Sequence, residues 1–160
     1  MRLMDMTTKP VGKHTLRQMQ AGDLEEVCRM ETTSSPTPWS KQMFIEEIAH
    51  PYASCFVAVA KEPAESPVIG FICFRNIGEE SELLNICVHP DHRHLGVGRE
   101  LMAFYTDTCL QRGTKTFHLE VNRANPVALR LYDSFSYLPV GVSPKFYRGE
   151  FDAVRMTKRV

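Results

Sequence analysis

The segment Asn85-Ile86-Cys87-Val88-His89-Pro90-Asp91-His92-Arg93-His94-Leu95-Gly96-Val97-Gly98-Arg99 joins a short apolar run to a helical pattern through a loop that carries two glycines. A junction of that kind suits an anion, because successive backbone N–H groups and the helix dipole converge on it. Glycines there let the main chain approach a phosphate with no Cβ in the way, although the same residues could simply fit a tight turn. Further along, Glu120 closes an alternating run, and Asn125-Pro126 starts a helix that carries Tyr132. Taken alone, Glu120 fits a strand-end carboxylate in a salt bridge, and Tyr132 a core tyrosine whose hydroxyl reaches solvent. His118 shares a strand face with Glu120 and is either packed, exposed or part of a proton relay. His89, His92 and His94 raise the question of a metal. Ligand sets of that kind need a helix or fixed turn to converge, and no carboxylate cluster accompanies them, so they fit a loop surface and no metal is expected.

Periodicity outlines the elements that must hold these residues. Residues 1–12 lack it and predict a flexible tail ahead of a single domain over residues 13–160. His14 to Met19 reads as a first strand and Asp23 as a helix cap. Leu24, Val27, Cys28 and Met30 form a helical stripe that ends in the breaker run Thr32 to Pro38. A second helix should place Trp39, Met43, Phe44 and Ile48 on one face and stop by Pro51. Ser54 to Ala60, Val68 to Arg75 and Glu82 to Val88 read as antiparallel strands joined by turns. From Gly98 to Arg112, Leu101, Met102, Tyr105 and Cys109 give a helical stripe, with Gly113 as its C-terminal cap. Lys115 to Val121 alternates, setting Phe117, Leu119 and Val121 opposite Glu120. Asparagine then caps a helix with proline at its first position, running to Phe135. Two closing strands, Tyr137 to Val142 and Phe151 to Thr157, flank a loop containing Pro144, Tyr147 and Gly149.

Composition narrows the function classes. A chain of 160 residues with 43% apolar content can bury one core but is short for two domains. Lysine plus arginine equal aspartate plus glutamate at 19 each, so no general footprint for nucleic acid or a membrane surface is present. The first ten residues mix Arg2, Asp5 and Lys9 with methionines and threonines, which is neither a signal peptide nor a spanning helix, and predicts a cytoplasmic protein. Five cysteines without a C-x-x-C pair read as reduced, mostly buried thiols.

Two nucleotide readings of the loop fail. The glycine-lysine-hydroxyl signature of a P-loop is missing after Gly96. A dinucleotide fold would suit Gly96-Val97-Gly98 and an acid at Glu120, but Leu101 replaces its third glycine and too little chain remains for a second half. Arg93-His94-Leu95-Gly96-Val97-Gly98 instead matches arginine or glutamine, two residues, glycine, one residue, then glycine or alanine. That is the pyrophosphate-loop signature of the GCN5-related N-acetyltransferases, and Leu83 to Arg99 resembles the family's splayed strand and following loop. The C-terminal half is similar to the RimI-like branch, which acetylates the N-terminal alanine of a ribosomal protein. Leu119-Glu120-Val121, Asn125 and Leu131-Tyr132 carry that likeness, with Pro38-Trp39-Ser40, Phe146-Tyr147, Asp152-Ala153 and Met156. Ser136-Tyr137 departs from the branch, which usually has glycine-phenylalanine there.

The resemblance implies an α/β fold: a mixed, mostly antiparallel sheet of about seven strands with a splayed parallel pair, flanked by about four helices. It implies acetyl-CoA as co-substrate and direct attack of an amine on the thioester. Glu120 would be the general base, acting through water, and Tyr132 the donor to the departing thiolate. An N-terminal ammonium has a pKa near 8, so deprotonation at pH 7 costs about 1.4 kcal/mol, against about 4.6 for a lysine. Main-chain groups of Ile86, Cys87 and Val88 would hold the acetyl and pantetheine arm, with an N–H polarising the carbonyl. Arg93, His94, Leu95, Gly96, Val97 and Gly98 would cradle pyrophosphate, and Asn125 would bond the pantetheine. Glu31 and Tyr147 would face the acceptor. The partner implied is a protein N-terminus, with the N-terminal alanine of small-subunit ribosomal protein number eighteen foremost. A small amine such as a polyamine or amino sugar is the rival acceptor, and a non-catalytic acyl-CoA-binding module the rival class.

Overall fold

The computed structural model describes residues 8–11, 14–61, 67–147 and 151–160. They form one eight-stranded sheet in the order β1-β2-β3-β4-β5-β6-β8-β7. Its strands are β1 (Thr8–Val11), β2 (His14–Gln18), β3 (Ala53–Ala60), β4 (Val68–Ile77), β5 (Glu80–Val88), β6 (Thr116–Asn122), β7 (Leu138–Tyr147) and β8 (Phe151–Arg159). Every neighbouring pair is antiparallel except β5 and β6. Among the described residues there are four α-helices: α1 (Leu24–Ser34), α2 (Lys41–Ala49), α3 (Val97–Gln111) and α4 (Pro126–Ser134).

Strand alternation sorts side chains into two cores, one on each face of the sheet. Leu24, Val27 and Met30 of α1 and Phe44 of α2 close over Val57, Phe71 and Cys73. On the other face, Leu101, Met102, Tyr105 and Cys109 of α3 and Tyr132 of α4 close over Phe56, Ile72, Phe74, Phe117 and Leu119. The α3 stripe expected from sequence is thus buried as a unit. Gly113 ends the helix at φ +89, with Thr114 N–H returning to the Cys109 carbonyl, a glycine-dependent C-terminal turn.

Four expectations need correction. Thr8–Val11, expected in a loose tail, pairs antiparallel with β2 and adds an edge strand to the seven expected; residues 1–7 lie outside the described residues. Helix α1 continues two residues further than the start of the expected breaker run, to Ser34, because neither proline of that run comes before Pro36. On α2 only Phe44 of the expected apolar face is buried; Met43 is 45% exposed and Ile48 37%. The second inward position belongs to Glu47, whose carboxylate takes Arg75 Nε and Nη2 at 2.6 Å each. A charged pair therefore occupies a place that periodicity gave to hydrocarbon. Finally β7 runs through Pro144 to Tyr147 rather than ending at Val142. It is one of the sheet's two edge strands, where a missing N–H breaks no ladder on the solvent side.

Candidate active site

Parallel pairing of β5 with β6 lasts only from Glu80↔Thr116 to Leu83↔Leu119. Beyond it β5 continues against β4 alone to Val88, and β6 continues against β8 alone to Asn122. The separation begins at an irregularity. Phe74 is opposite Leu83 and Cys73 opposite Asn85, so Leu84 is an extra residue with no counterpart on β4. A bulge of this kind bends the strand that carries it and increases its twist. Between the diverging strands a cleft opens, with the main chain of Ile86, Cys87 and Val88 on one side. Glu120, the first residue past the last parallel pair, stands on the other.

The far end of β5 turns into the glycine-bearing loop. His89 N–H bonds the Ile69 carbonyl at 2.8 Å, and the His89 ring accepts from Asp91 N–H at 3.1 Å, starting the single 3-10 turn Pro90–His92. Arg93 then ties the loop down rather than reaching outward. Its Nε donates to the Val88 carbonyl at 3.3 Å and its Nη2 to Ser34 Oγ at 2.8 Å. His94 and Gly96 take left-handed conformations, φ +63 and +85, and Gly96 is the N-terminal cap of α3. A Cβ on Gly96 would meet nothing within 4 Å, so its need for glycine is conformational. At Gly98 a Cβ would lie 3.7 Å from Leu131 and 3.8 Å from Val88, ordinary contact that alanine can make. The motif's tolerance of alanine at that place has a structural cause. Leu95 is exposed and Val97 buried, so the side chains of the loop face different ways. The first N–H groups of α3 have no acceptor within the helix. A pyrophosphate fits such a surface.

Glu120 is exposed, with no ion pair among the described residues. Among the described residues no cation forms the salt bridge that the strand-end alternative requires. It lines a cavity of about 120 Å³ with Glu82, His118, Val140, Arg155 and Thr157, on the sheet face that α1 and α2 leave uncovered. His118 bonds Thr157 Oγ1 at 3.2 Å and Glu80 Oε1 at 3.3 Å, which places it between two neighbours rather than on Glu120. Tyr132 is 6% exposed, its ring edge-on to Tyr137 with centroids 6.1 Å apart. Asn125 uses its carbonyl oxygen for the cap of α4, accepting Ala128 N–H at 3.1 Å, while its amide N–H groups have no hydrogen bond among the described residues. The seven-residue spacing to Tyr132 brings one exposed and one buried side chain, on a helix that borders the glycine loop through Leu131.

Glu31 departs from its expected place at the acceptor. It is 3% exposed, and its carboxylate accepts from the Asn85 side chain and from Trp39 N–H. Burial pushes its pKa up, against the opposing pull of those two donors. Glu31 therefore braces the end of α1 against the splayed part of β5, and Asn85, just past the bulge, is a site residue that the spacing argument passed over. Tyr147 ends β7 opposite Phe151, and its side chain lies outside the described residues. Glu82 and Arg155 were also missed. Both sit at outward positions of strands whose inward residues are apolar, which is the one signal that pointed to them. Burial raises the thiol pKa of Cys28, Cys87 and Cys109, and no group of three or more potential metal ligands occurs among the described residues. No helix is long and apolar enough to cross a membrane.

The family model described as Acetyltransferase (GNAT) family matches residues 24–137, from the start of α1 to the start of β7. The chain belongs to this family. A ribosomal protein bS18-alanine N-acetyltransferase of Salmonella typhimurium is 27% identical to it over 146 residues, covering 89% of the chain and 95% of that relative. The crystal structure of the ribosomal-protein-S18-alanine N-acetyltransferase from Escherichia coli superposes with a TM-score of 0.82 at 25% identity, over 92% of this chain and 94% of that one. Arabidopsis thaliana NAA60, solved in complex with acetyl-CoA, shares the fold with a TM-score of 0.80 at 18% identity, over 92% and 98% of the two chains. The chain is thus an N-acetyltransferase that resembles these relatives, and its mostly antiparallel GNAT sheet with one splayed parallel pair is the one expected from sequence.

Proposed function

We propose that the enzyme transfers an acetyl group from acetyl-CoA to the α-amine of a protein N-terminus, with the N-terminal alanine of ribosomal protein bS18 as first candidate. The observation that carries this reading is the position of Glu120. It is an exposed carboxylate with no ion pair among the described residues, at the first residue beyond the β5–β6 pairing, and it lines a cavity. An exposed carboxylate is a weak base, and only an amine with a pKa near 8 is within easy reach of it at neutral pH. Acetyl-CoA supplies the activated acyl group.

The residues would divide the work as follows. Glu120 takes the ammonium proton through water, with Glu82 on the same face adding to the negative potential that attracts the cation. The main chain of Ile86, Cys87 and Val88 positions the acetyl end, and one N–H there polarises its carbonyl. Arg93 to Gly98 hold the pyrophosphate through backbone N–H groups, Arg93 by fixing the loop. Asn125 bonds the pantetheine arm, and Tyr132 protonates the leaving thiolate. Glu31 and Asn85 keep the splayed strand in place. On this reading the enzyme works in the cytoplasm, where ribosomal proteins are made.

The experiment is acetyl transfer from labelled acetyl-CoA to peptides with the bS18 N-terminus and to spermidine and glucosamine. Peptide acetylation confined to the α-amine supports the reading; transfer only to the small amines refutes it. Glu120→Gln should lower kcat by about 10² to 10⁴, the usual worth of a general base, with coenzyme A binding kept. Unchanged turnover would remove Glu120 from the mechanism.

A further inference from the structure

Gly141 has no backbone reason to be glycine. Its φ lies outside the positive range, and a strand interior is where glycine weakens a sheet. What it does is leave room for Arg155, its Cα partner across β7 and β8. A Cβ on Gly141 would come within 3.0 Å of Arg155 Cζ and 3.2 Å of Nε, and nearer still to Nη2. The guanidinium therefore occupies the space over Gly141 on the edge strand, its Nη2 nearest. An irregularity at Val140, extra between Pro139↔Met156 and Gly141↔Arg155, bends β7 at the same point.

Arg155 is also the direct partner of Glu120 across β6 and β8, so the two side chains leave the sheet on one face and line one cavity. They do not meet. The guanidinium leans away, toward Gly141, and Arg155 has no ion pair among the described residues. The other charges of the cavity are the carboxylates of Glu82 and Glu120, together with His118 held by Glu80 and Thr157. The cavity is thus polar in the electrical sense, negative at the β5–β6 end where an ammonium belongs and positive over β7. Two strand spacings separate β6 from β7, about 10 Å. An extended peptide advances about 3.4 Å per residue, so its second or third side chain reaches that distance from the amine.

We propose that Arg155, seated on Gly141, is a specificity determinant that favours acceptors with aspartate or glutamate at the second or third position. The inference rests on the N-terminal reading above and names the sequence class within it. Guanidinium suits the task because its planar fork pairs with carboxylate through two bonds.

The test uses the full chain, acetyl-CoA and heptapeptides that begin with alanine and differ only by Glu, Gln or Lys at position two or three. For the wild type, kcat/KM for the Glu peptide should exceed that for the Gln peptide about tenfold, with most of the difference in KM. Arg155→Glu should reverse the order and favour Lys, a gain that damage to the fold cannot mimic. Gly141→Ala, which displaces the guanidinium without removing it, should narrow the Glu preference. A wild-type ratio near one, or equal losses on all three peptides in Arg155→Gln, overturns the inference while leaving N-terminal acetylation intact. Transfer to spermidine or free glutamate but to no peptide overturns the N-terminal reading and this inference with it.

Discussion

Alanine at Gly96 and at Gly98 should have opposite effects, although the two residues belong to one motif. At Gly96 the backbone is left-handed, φ +85 and ψ 5, and a side chain has open space. The cost is then purely conformational, about 1–2 kcal/mol. The stiffer unfolded chain returns about 0.4–1 kcal/mol, leaving a net loss of about 1 kcal/mol. Gly98 is the second residue of α3, in right-handed helix, and its added methyl would touch Leu131 and Val88 at 3.7 and 3.8 Å. There the unfolded-state gain of about 0.4–1 kcal/mol is not opposed. For a chain of this size Gly96→Ala should lower Tm by about 2–4 °C and Gly98→Ala raise it by up to about 4 °C. Calorimetric titration with coenzyme A should follow the same division. Gly96→Ala turns the cradle's N–H groups away from the pyrophosphate and should weaken binding about tenfold, 1.4 kcal/mol or so. Gly98→Ala should leave binding within about threefold. Equal Tm shifts for the two variants, or a Gly96→Ala protein that binds coenzyme A like the wild type, would refute the assignment of separate roles.

Other outcomes follow from the same structure. Ser136 holds φ +70 just after α4, so Ser136→Gly should stabilise the protein by about 0.5–1 kcal/mol, seen as a higher midpoint in urea. Burial alone would push the Asp23 carboxyl up, but Arg17 at 2.7 and 2.8 Å and Gln20 N–H at 2.8 Å outweigh it and hold the pKa below its ordinary value. Its contribution is therefore present above the unfolded pKa and lost as pH falls through the folded one. Urea midpoints should drop less steeply below about pH 4 in Asp23→Asn than in the wild type. Of the five cysteines only Cys28 is not buried, so native protein at about pH 8, near the ordinary thiol pKa, should react with a thiol reagent at no more than one site, and at all five in denaturant.

How far the sequence foretold this arrangement depended on whether a residue's place is set locally. Gly96, Gly113 and Asn125 were legible because turn and cap chemistry is local. Leu101, Tyr105, Phe117 and Leu119 were legible because a periodic stripe has one core to face. Glu47 and Glu31 were not, since a carboxylate becomes an inward residue only when Arg75 or Asn85, 28 and 54 positions away, supplies the donor. Pro144 misled because proline interrupts a strand flanked on both sides but is tolerated at a sheet edge, and a strand's own residues do not reveal which place it takes. Arg155 needed Gly141, a partner set by β7–β8 register rather than by spacing in the chain.

Leu84 turns the cleft into a matter of parity. Along β5, Ser81 and Leu83 belong to the α3 side and Glu82 to the other; after the extra residue, Ile86 and Val88 join the α3 side, while Asn85 and Cys87 face α1. Odd numbers serve one core before Leu84 and even numbers serve it afterwards. Deleting that single residue would leave β5 regularly paired with β4 throughout, with Asn85 to Val88 on the faces they hold now, opposite the same partners. Asn85 would keep its place beside Glu31, but β5 would have no bend to carry it away from β6. The parting of β5 from β6 coincides with an odd count.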